Sequence, residues 1–275
     1  MLKNLSISLT IIVLLSAVSC TTIEITESDA FDAHRTITPA TFDINAFNFQ
    51  PHTIETEDGE LLDAWFLQRD DAVATVLYLG GNGFLMVKSR PLIQAYATLP
   101  VNLLMIDYRG YGLSSGEPTV RGVQEDARSA FRFILSDSVP QTDKIFVHGH
   151  SMGSFLSALI TQENSIDGYI LESPVTEVDR WTKRLIPWIM RPFIRFDIDE
   201  NVKAQSNSDK VASITTPLLI MGGTADDVTP IRMAEELYEQ SVSPQKRLVK
   251  ISGGGHNNLP NTAIYRQSLR EFILQ

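Results

Sequence analysis

The chain has 275 residues, of which 43% are hydrophobic and 20% charged, a composition that excludes a disordered chain, a collagen-like repeat and a multi-span membrane protein. Its 23 Lys and Arg residues against 33 Asp and Glu residues give a net charge of −10, and no basic run is visible, so binding to nucleic acid is not expected. Five histidines and one cysteine, without paired His or Cys spacing, also argue against a metal site.

Residues 1–19 have the pattern of a secretory signal peptide. Lys3 supplies a positive charge, residues 9–15 form an uncharged apolar core, and small residues lead into Cys20. The apolar run is too short for a comfortable membrane span, which needs about 20 apolar residues. We therefore expect this segment to direct export and to be removed.

Cys20, the only cysteine, ends a stretch that resembles the lipobox of bacterial lipoproteins, Leu-Ser-Ala-Val-Ser-Cys. The resemblance implies that Cys20 is diacylated, becomes the first mature residue and holds the protein at the bacterial envelope by lipid alone. Thr21 follows, where an aspartate would suggest retention in the inner membrane, so the outer membrane facing the periplasm is favoured. An ordinary cleaved signal that happens to end in cysteine is the alternative.

Residues 20–50 are polar, with alternating acids and threonines, and are interpreted as a tether and a covering strand. The main domain is expected over residues 51–275. It starts with a hairpin, because the strand-like runs 53–57 and 61–67 flank the turn residues Asp58 and Gly59.

Short apolar runs then alternate with helix-period stretches. The runs are rich in branched residues and bounded by Gly, Pro or Asp, which is typical of parallel strands buried on both faces; they cover residues 74–79, 102–106, 144–148, 168–171, 217–221 and 247–251. Helical periodicity is found over residues 120–135, 231–240 and 262–274. The alternation predicts an α/β fold with a doubly wound, mostly parallel sheet.

Two glycine-rich turns follow strands of this predicted sheet. Residues 80–83, Gly-Gly-Asn-Gly, fit neither a dinucleotide nor a phosphate-loop pattern, and a tight turn whose backbone N–H faces a nucleophile fits better. Residues 149–153, Gly-His-Ser-Met-Gly, lie between a strand and a small-residue helix, the context of a nucleophile elbow. Ser151 is therefore the candidate nucleophile, and the amides of Asn82 and Met152 are the candidate oxyanion donors. An inert serine in a glycine-rich turn is the alternative.

The segment 174–213 interrupts the alternation. It is rich in aromatic and aliphatic residues, shows no strand pattern, and is interpreted as a small helical lid. Insertions at this place emerge at the carboxyl ends of the strands, where open α/β sheets bind ligands. Trp181, Trp188 and Phe193 are candidate substrate contacts, or they simply pack the lid on the core.

An acid and a base follow the last two strands. Asp226 and Asp227 compete for the role of the carboxylate that orients a histidine, and either could instead cap the helix after Pro230. His256 lies in a glycine-flanked loop, and the order Ser…Asp…His is the one expected for this fold.

These segments, in this order, resemble the α/β-hydrolase superfamily. Residues 106–118, 171–174 and 195–197 resemble the branch that includes serine aminopeptidase-like hydrolases and depalmitoylating thioesterases. The resemblance covers residues 52–275 and implies Ser151 as nucleophile, Asp226 as acid and His256 as base, with Asn82 and Met152 at the oxyanion hole. The family usually has His-Gly-Asn where this chain has Gly80, Gly81 and Asn82.

The sequence thus predicts a membrane-anchored serine hydrolase that cleaves a carboxylic ester or thioester through an acyl-Ser151 intermediate. It needs no cofactor and no metal, and its expected partner is a small-molecule acyl substrate. A serine aminopeptidase of the same fold is an alternative, which would want a carboxylate near the site to hold the substrate amine. A non-catalytic hydrolase-like scaffold that binds a ligand in the envelope is another.

Overall fold

The computed structural model describes residues 21–35, 45–185, 189–190 and 193–275. The predicted signal peptide, Cys20 and Trp188 lie outside these ranges. None of the helices within them combines the length and the apolar composition that a membrane span requires.

Within the described ranges, ten strands form two sheets. In chain order they are β1 (Thr21–Ile25), β2 (Asn48–Glu55), β3 (Leu61–Gln68), β4 (Ala74–Leu79), β5 (Val101–Ile106), β6 (Lys144–His150), β7 (Gly168–Glu172), β8 (Ile194–Ile198), β9 (Leu218–Gly223) and β10 (Lys246–Ile251). The main sheet has eight strands in the order β10-β9-β7-β6-β4-β5-β3-β2. Only β3 runs antiparallel to its neighbours, β2 and β5, so the predicted hairpin start is confirmed.

Helices cover both faces of this sheet. They are α1 (Arg90–Tyr96), α2 (Val120–Ile134), α3 (Gly153–Glu163), α4 (Val178–Leu185), α5 (Glu200–Lys203), α6 (Asn207–Val211), α7 (Ile231–Gln240) and α8 (Ala263–Ile273). Side chains of α1 and α8 pack on one face, and those of α2 and α3 on the other. The central strands β4, β5, β7 and β9 are buried along their whole length, as their unbroken apolar runs require. The doubly wound α/β fold is confirmed.

The inserted segment is not purely helical. It contains α4, α5 and α6, but also the strand β8, which pairs in parallel with β1 from Thr21↔Ile194 to Ile25↔Ile198. The expectation of an all-helical lid was therefore wrong at β8. Along the strand, Ile194 and Phe196 are half-buried and Ile198 is buried, whereas Arg195 and Asp197 between them are exposed, and this alternation was the missed signal.

The parallel arrangement brings four loops to one edge of the sheet. The glycine turn at 80–83 follows β4, Ser151 follows β6, Asp226 follows β9 and His256 follows β10. Because β4, β6, β7, β9 and β10 all point the same way, their carboxyl ends meet at the same edge.

Candidate active site

Ser151 occupies a sharp turn between β6 and α3. Its φ is +52°, in the left-handed region that residues with a side chain rarely adopt. The turn brings backbone atoms into close contact: a Cβ on Gly149 would lie 2.1 Å from the Gly153 carbonyl oxygen, and one on Gly153 would lie 2.0 Å from the Leu79 carbonyl oxygen. Both positions therefore require glycine, as the Gly-x-Ser-x-Gly pattern predicts.

Ser151, His256 and Asp226 form a continuous chain of hydrogen bonds. His256 Nε2 lies 3.0 Å from Ser151 Oγ, and His256 Nδ1 lies 2.9 Å from Asp226 Oδ2. In this arrangement Nε2 can accept the Ser151 proton while the carboxylate holds the proton on Nδ1. The structure thus brings the three candidate residues together in the predicted order of roles.

Asp226 and Asp227, which the sequence left in competition, occupy different environments. Asp226 is buried, whereas Asp227 is exposed. The Oδ1 atom of Asp226 also accepts the backbone N–H groups of Val228 (2.9 Å) and Thr229 (2.8 Å). Burial acts to raise the pKa of the Asp226 carboxyl, but the hydrogen bonds from His256 and Thr229 outweigh it and hold this pKa below its ordinary value. Asp226 is therefore a charged partner for His256.

Thr229 is a site residue that sequence reasoning missed. Its Oγ1 atom lies 2.9 Å from Asp226 Oδ2, 3.1 Å from His256 Nδ1 and 3.0 Å from the Ser173 carbonyl oxygen. The Asp-x-x-Thr spacing is a signal that could have found it, because such residues close local hydrogen-bonded turns. The hydroxyl keeps the Asp226 carboxylate in the orientation that meets His256.

The glycine turn after β4 lies against the nucleophile. A Cβ on Gly81 would come within 3.1 Å of Ser151 Cβ, so the backbone approaches Ser151 as closely as glycine allows. At Gly80, where the resembled family has histidine, a Cβ would lie 2.1 Å from the Phe84 ring. Tyr108 also donates to the Gly80 carbonyl at 3.0 Å. In this chain Phe84 and Tyr108 support the turn in place of the histidine.

A cavity of about 470 Å³ opens above Ser151 and His256, and Asn82 and Met152 line it as well. Most of its other lining side chains are apolar. They come from the N-terminal residues, α2, the first turn of α3, the inserted segment and the loop after β9: Ile25, Phe31, Val120, Val123, Phe155, Leu156, Val175, Val178, Trp181, Ile198, Val202 and Val228. Ser151 thus lies at the base of a mainly apolar cavity whose size is in the range of small-molecule binding sites.

Comparison with known proteins agrees with this geometry. The profile of the serine aminopeptidase S33 family matches residues 70–211, more than half of the chain. The chain belongs to this family.

Relatives and structures support the same placement. The protein YfhR of Escherichia coli O157:H7 is 30% identical over 229 residues, covering 79% of this chain and 78% of the relative. Protein bem46 of Schizosaccharomyces pombe is 26% identical over 238 residues, covering 83% and 78%. The Pyrococcus furiosus esterase Pf2001 superposes with a TM-score of 0.73 at 21% identity, over 89% of this chain and 97% of that one. The mouse α/β-hydrolase domain-containing protein 10 superposes with a TM-score of 0.60. The protein is therefore an α/β hydrolase.

The three lid candidates have different positions in this hydrolase. Trp181, on α4, lines the cavity, and its indole N–H donates to the Val228 carbonyl at 2.8 Å. Phe193 is not among the described residues that line the cavity; its carbonyl instead accepts from Thr21 N at 2.8 Å, next to the β1–β8 pair. Phe193 as a substrate contact thus stays a prediction without support from the cavity lining, and Trp188 lies outside the described residues.

A buried polar cluster lies beside the nucleophile turn and was not anticipated. His148 Nδ1 lies 2.6 Å from the Tyr96 hydroxyl. Its Nε2 lies 3.1 Å from Glu172 Oε2, close enough for an electrostatic contact, although the angles do not fit a hydrogen bond. Tyr265 donates to the same carboxylate at 2.9 Å. The backbone of Glu172 accepts the Ser151 N–H at 2.9 Å, so the cluster fixes the strand end that holds the nucleophile. Among the described residues no group of His, Cys, Asp and Glu side chains is arranged to bind a metal.

Proposed function

We propose that this hydrolase cleaves a carboxylic ester or thioester through a covalent acyl-Ser151 intermediate. The observation that carries the proposal is the Ser151–His256–Asp226 chain of hydrogen bonds, 3.0 Å and 2.9 Å long, at the base of an apolar cavity. Such a chain activates a hydroxyl that is otherwise a weak nucleophile.

The steps follow from the positions of these groups. His256 Nε2 takes the Ser151 proton as Oγ attacks the substrate carbonyl, and Asp226 stabilises the imidazolium. The backbone N–H groups of Asn82 and Met152 receive the oxyanion, and removing one such donor typically costs about 3 kcal/mol. His256 then protonates the leaving alcohol or thiol. In the second half-reaction His256 takes a proton from the water that attacks the acyl-Ser151 carbonyl and returns it to Ser151 Oγ as the acid leaves.

The lining of the cavity favours an acyl substrate over a peptide with a free N-terminus. Asp29 is the only carboxylate among the described residues that line it, and its Oδ2 already accepts the Thr26 N–H at 2.9 Å. A carboxylate accepts several hydrogen bonds, so the other Asp29 oxygen can receive a substrate amine, and the aminopeptidase is the second candidate function. The rest of the lining is mainly apolar, and this favours the acyl substrate. Each methylene of an acyl chain buried in the cavity contributes about 0.8 kcal/mol. We therefore expect kcat/KM to rise from acetyl to medium-chain esters.

A fluorophosphonate probe and a substrate panel test the proposal. We expect the probe to label the parent protein and not Ser151→Ala, which keeps its melting temperature because the hydroxyl contributes little to packing. The panel comprises acyl esters, acyl thioesters and aminoacyl arylamides. Turnover of arylamides alone would favour the peptidase, and a folded parent that neither labels nor turns over any substrate would favour the binding scaffold.

We also propose that Cys20 carries the lipid that holds the enzyme at the envelope, in the outer membrane of a diderm host. The lipobox-like stretch before Cys20 and the absence of any other cysteine support this. We expect an alkyne-tagged fatty acid to label the wild type, and Cys20→Ser to release the domain into the soluble periplasmic fraction. A wild-type protein that is not labelled by the fatty acid would contradict the proposal.

A further inference from the structure

Residues 21–35, which we call the strap, cross the active site from the inserted segment to α2. The strap begins with β1, which pairs with β8. Beyond β1, the Glu27 carboxylate accepts the backbone N–H of Val120 at 2.7 Å, at the first turn of α2. The strap therefore joins two elements, β8 and α2, that both line the cavity.

The side chain of Asn82 attaches the strap to the glycine turn. Its Oδ1 accepts the Asp32 N–H at 2.7 Å and the Tyr111 hydroxyl at 2.8 Å, and its Nδ2 donates to the Ala30 carbonyl at 3.0 Å. The main chain of the same residue belongs to the turn that lies against Ser151. Asn82 thus holds the strap through its side chain and provides the proposed oxyanion donor through its backbone N–H.

Strap side chains also enter the cavity. Ile25, Ala30 and Phe31 line it together with Ser151 and His256. The same three side chains pack against a small apolar cluster formed by Val120, Ile198 and Val202. The strap is therefore a wall of the cavity in its own right, and packing against this cluster fixes it there.

We propose that the strap determines the acyl-chain preference of the enzyme, with Phe31 as the specificity-determining contact and Asn82 as the positioning residue that holds the strap against the oxyanion turn. This inference rests on the proposed acyl hydrolysis. The strap starts at Thr21, directly after Cys20, so the proposed lipid anchor and a wall of the substrate pocket are neighbours in the chain.

The first test compares Phe31→Ala with a matched control, Phe49→Ala. Phe49 is an exposed aromatic on β2, where it packs edge-on against Trp65, and it is not among the residues that line the cavity. With p-nitrophenyl esters of increasing chain length, we expect Phe31→Ala to lower kcat/KM for the octanoyl ester about tenfold through KM, and for the acetyl ester much less. The control should keep the parent's ratio of long-chain to short-chain activity. An unchanged ratio in Phe31→Ala would overturn the proposal.

The second test uses Asn82→Ala and Asn82→Asp. Both keep the backbone N–H, so any loss arises from the side chain. We expect Asn82→Ala to lower kcat for every ester and to flatten the chain-length preference, whereas Asn82→Asp keeps acceptors for Asp32 and Tyr111 and restores part of both. Melting temperatures and fluorophosphonate labelling show that each variant is folded. A folded Asn82→Ala with the parent's preference would contradict the positioning role.

A binding measurement separates this inference from the proposed function. In the Ser151→Ala background, a dansyl-labelled undecanoic acid reports occupancy of the cavity without any turnover. We expect Phe31→Ala to weaken its binding several-fold, even if the parent hydrolyses none of the esters tested. If Phe31→Ala binds the dansyl-labelled acid as tightly as the Ser151→Ala parent does, the strap does not form a wall of the substrate pocket. If the enzyme with Ser151 intact nevertheless hydrolyses the esters, the proposed function still holds.

Discussion

Ser151 is held in a backbone conformation with positive φ, and its neighbours Gly149 and Gly153 leave space for it. Such strain persists only where surrounding structure fixes it. Here the Ser151 N–H is bonded to the Glu172 carbonyl, and the glycine turn at Gly81 lies against its side chain. The result is a hydroxyl fixed at hydrogen-bond distance from His256.

At this residue scale, the role of Asp226 is open to direct test. We expect Asp226→Asn to reduce kcat by about four orders of magnitude, because the amide favours the wrong imidazole tautomer. Asp227→Asn is the matched control, since Asp227 is exposed and adjacent, and it should keep most of the activity. Steady-state kinetics on both variants decides the matter. A larger loss at Asp227 would show that the acid is assigned one residue too early.

At the scale of elements, Arg109 connects the loop after β5 to the helix α2 and to the turn between β2 and β3. Its Nε donates to Asp126 on α2 at 2.8 Å, and its two terminal nitrogens donate to Asp58 in the β2–β3 turn at 2.7 Å and 3.0 Å. The side chains of Arg109 and Asp126 are 6% and 0% exposed, whereas that of Asp58 is 50% exposed. The buried pair should therefore matter far more than the half-exposed one.

We expect Asp126→Ala to lower the free energy of unfolding by about 3–5 kcal/mol, because it leaves the Arg109 charge buried with only the half-exposed Asp58 as its ionic partner. Asp58→Ala should cost about 1 kcal/mol or less, because water screens the exposed partner. Urea unfolding of the two variants measures both values. Equal losses would mean that the exposed contact stabilises the fold as much as the buried one, which would contradict this expectation.

At the scale of the whole molecule, Asp107 makes stability depend on pH. Burial raises the pKa of its carboxyl to about 7; the Met86 N–H acts to lower it and the nearby Asp63 to raise it. The folded state thus disfavours the ionised form. The stability present at low pH is lost as the pH rises from the unfolded pKa, near 4, through the folded value of about 7.

We therefore expect the parent to lose about 3 kcal/mol of stability between about pH 5 and about pH 8 from this group alone. Asp107→Asn should remove most of that slope, since it cannot ionise and its carbonyl can still accept the Met86 N–H. Asp143→Asn, at an exposed position, serves as the control and should keep the parent's slope. The free energy of unfolding is measured for each protein at both pH values. If it changes with pH equally in the parent and in Asp107→Asn, the role of Asp107 is contradicted.

The sequence alone determined the alternation of strands and helices and the place of Ser151, the proposed nucleophile, in the turn after β6. These features depend on short-range rules: buried parallel strands read as unbroken apolar runs, and the turn around Ser151 admits only glycine two residues before and after it. Parallel strands end at the same edge, so the meeting of Ser151 and His256 also followed from the order of the loops.

The local residue pattern left Asp226 and Asp227 in competition and only the family resemblance favoured Asp226, whereas the tertiary structure gave the physical distinction between them and made the strap part of the site. Two adjacent carboxylates have the same local signals, and they differ only because the packing around His256 buries one and leaves the other in water. The β1–β8 pair joins Thr21–Ile25 to Ile194–Ile198 across most of the chain. Such non-local pairing depends on the surfaces that the rest of the fold presents, and no pattern within either segment specifies its partner.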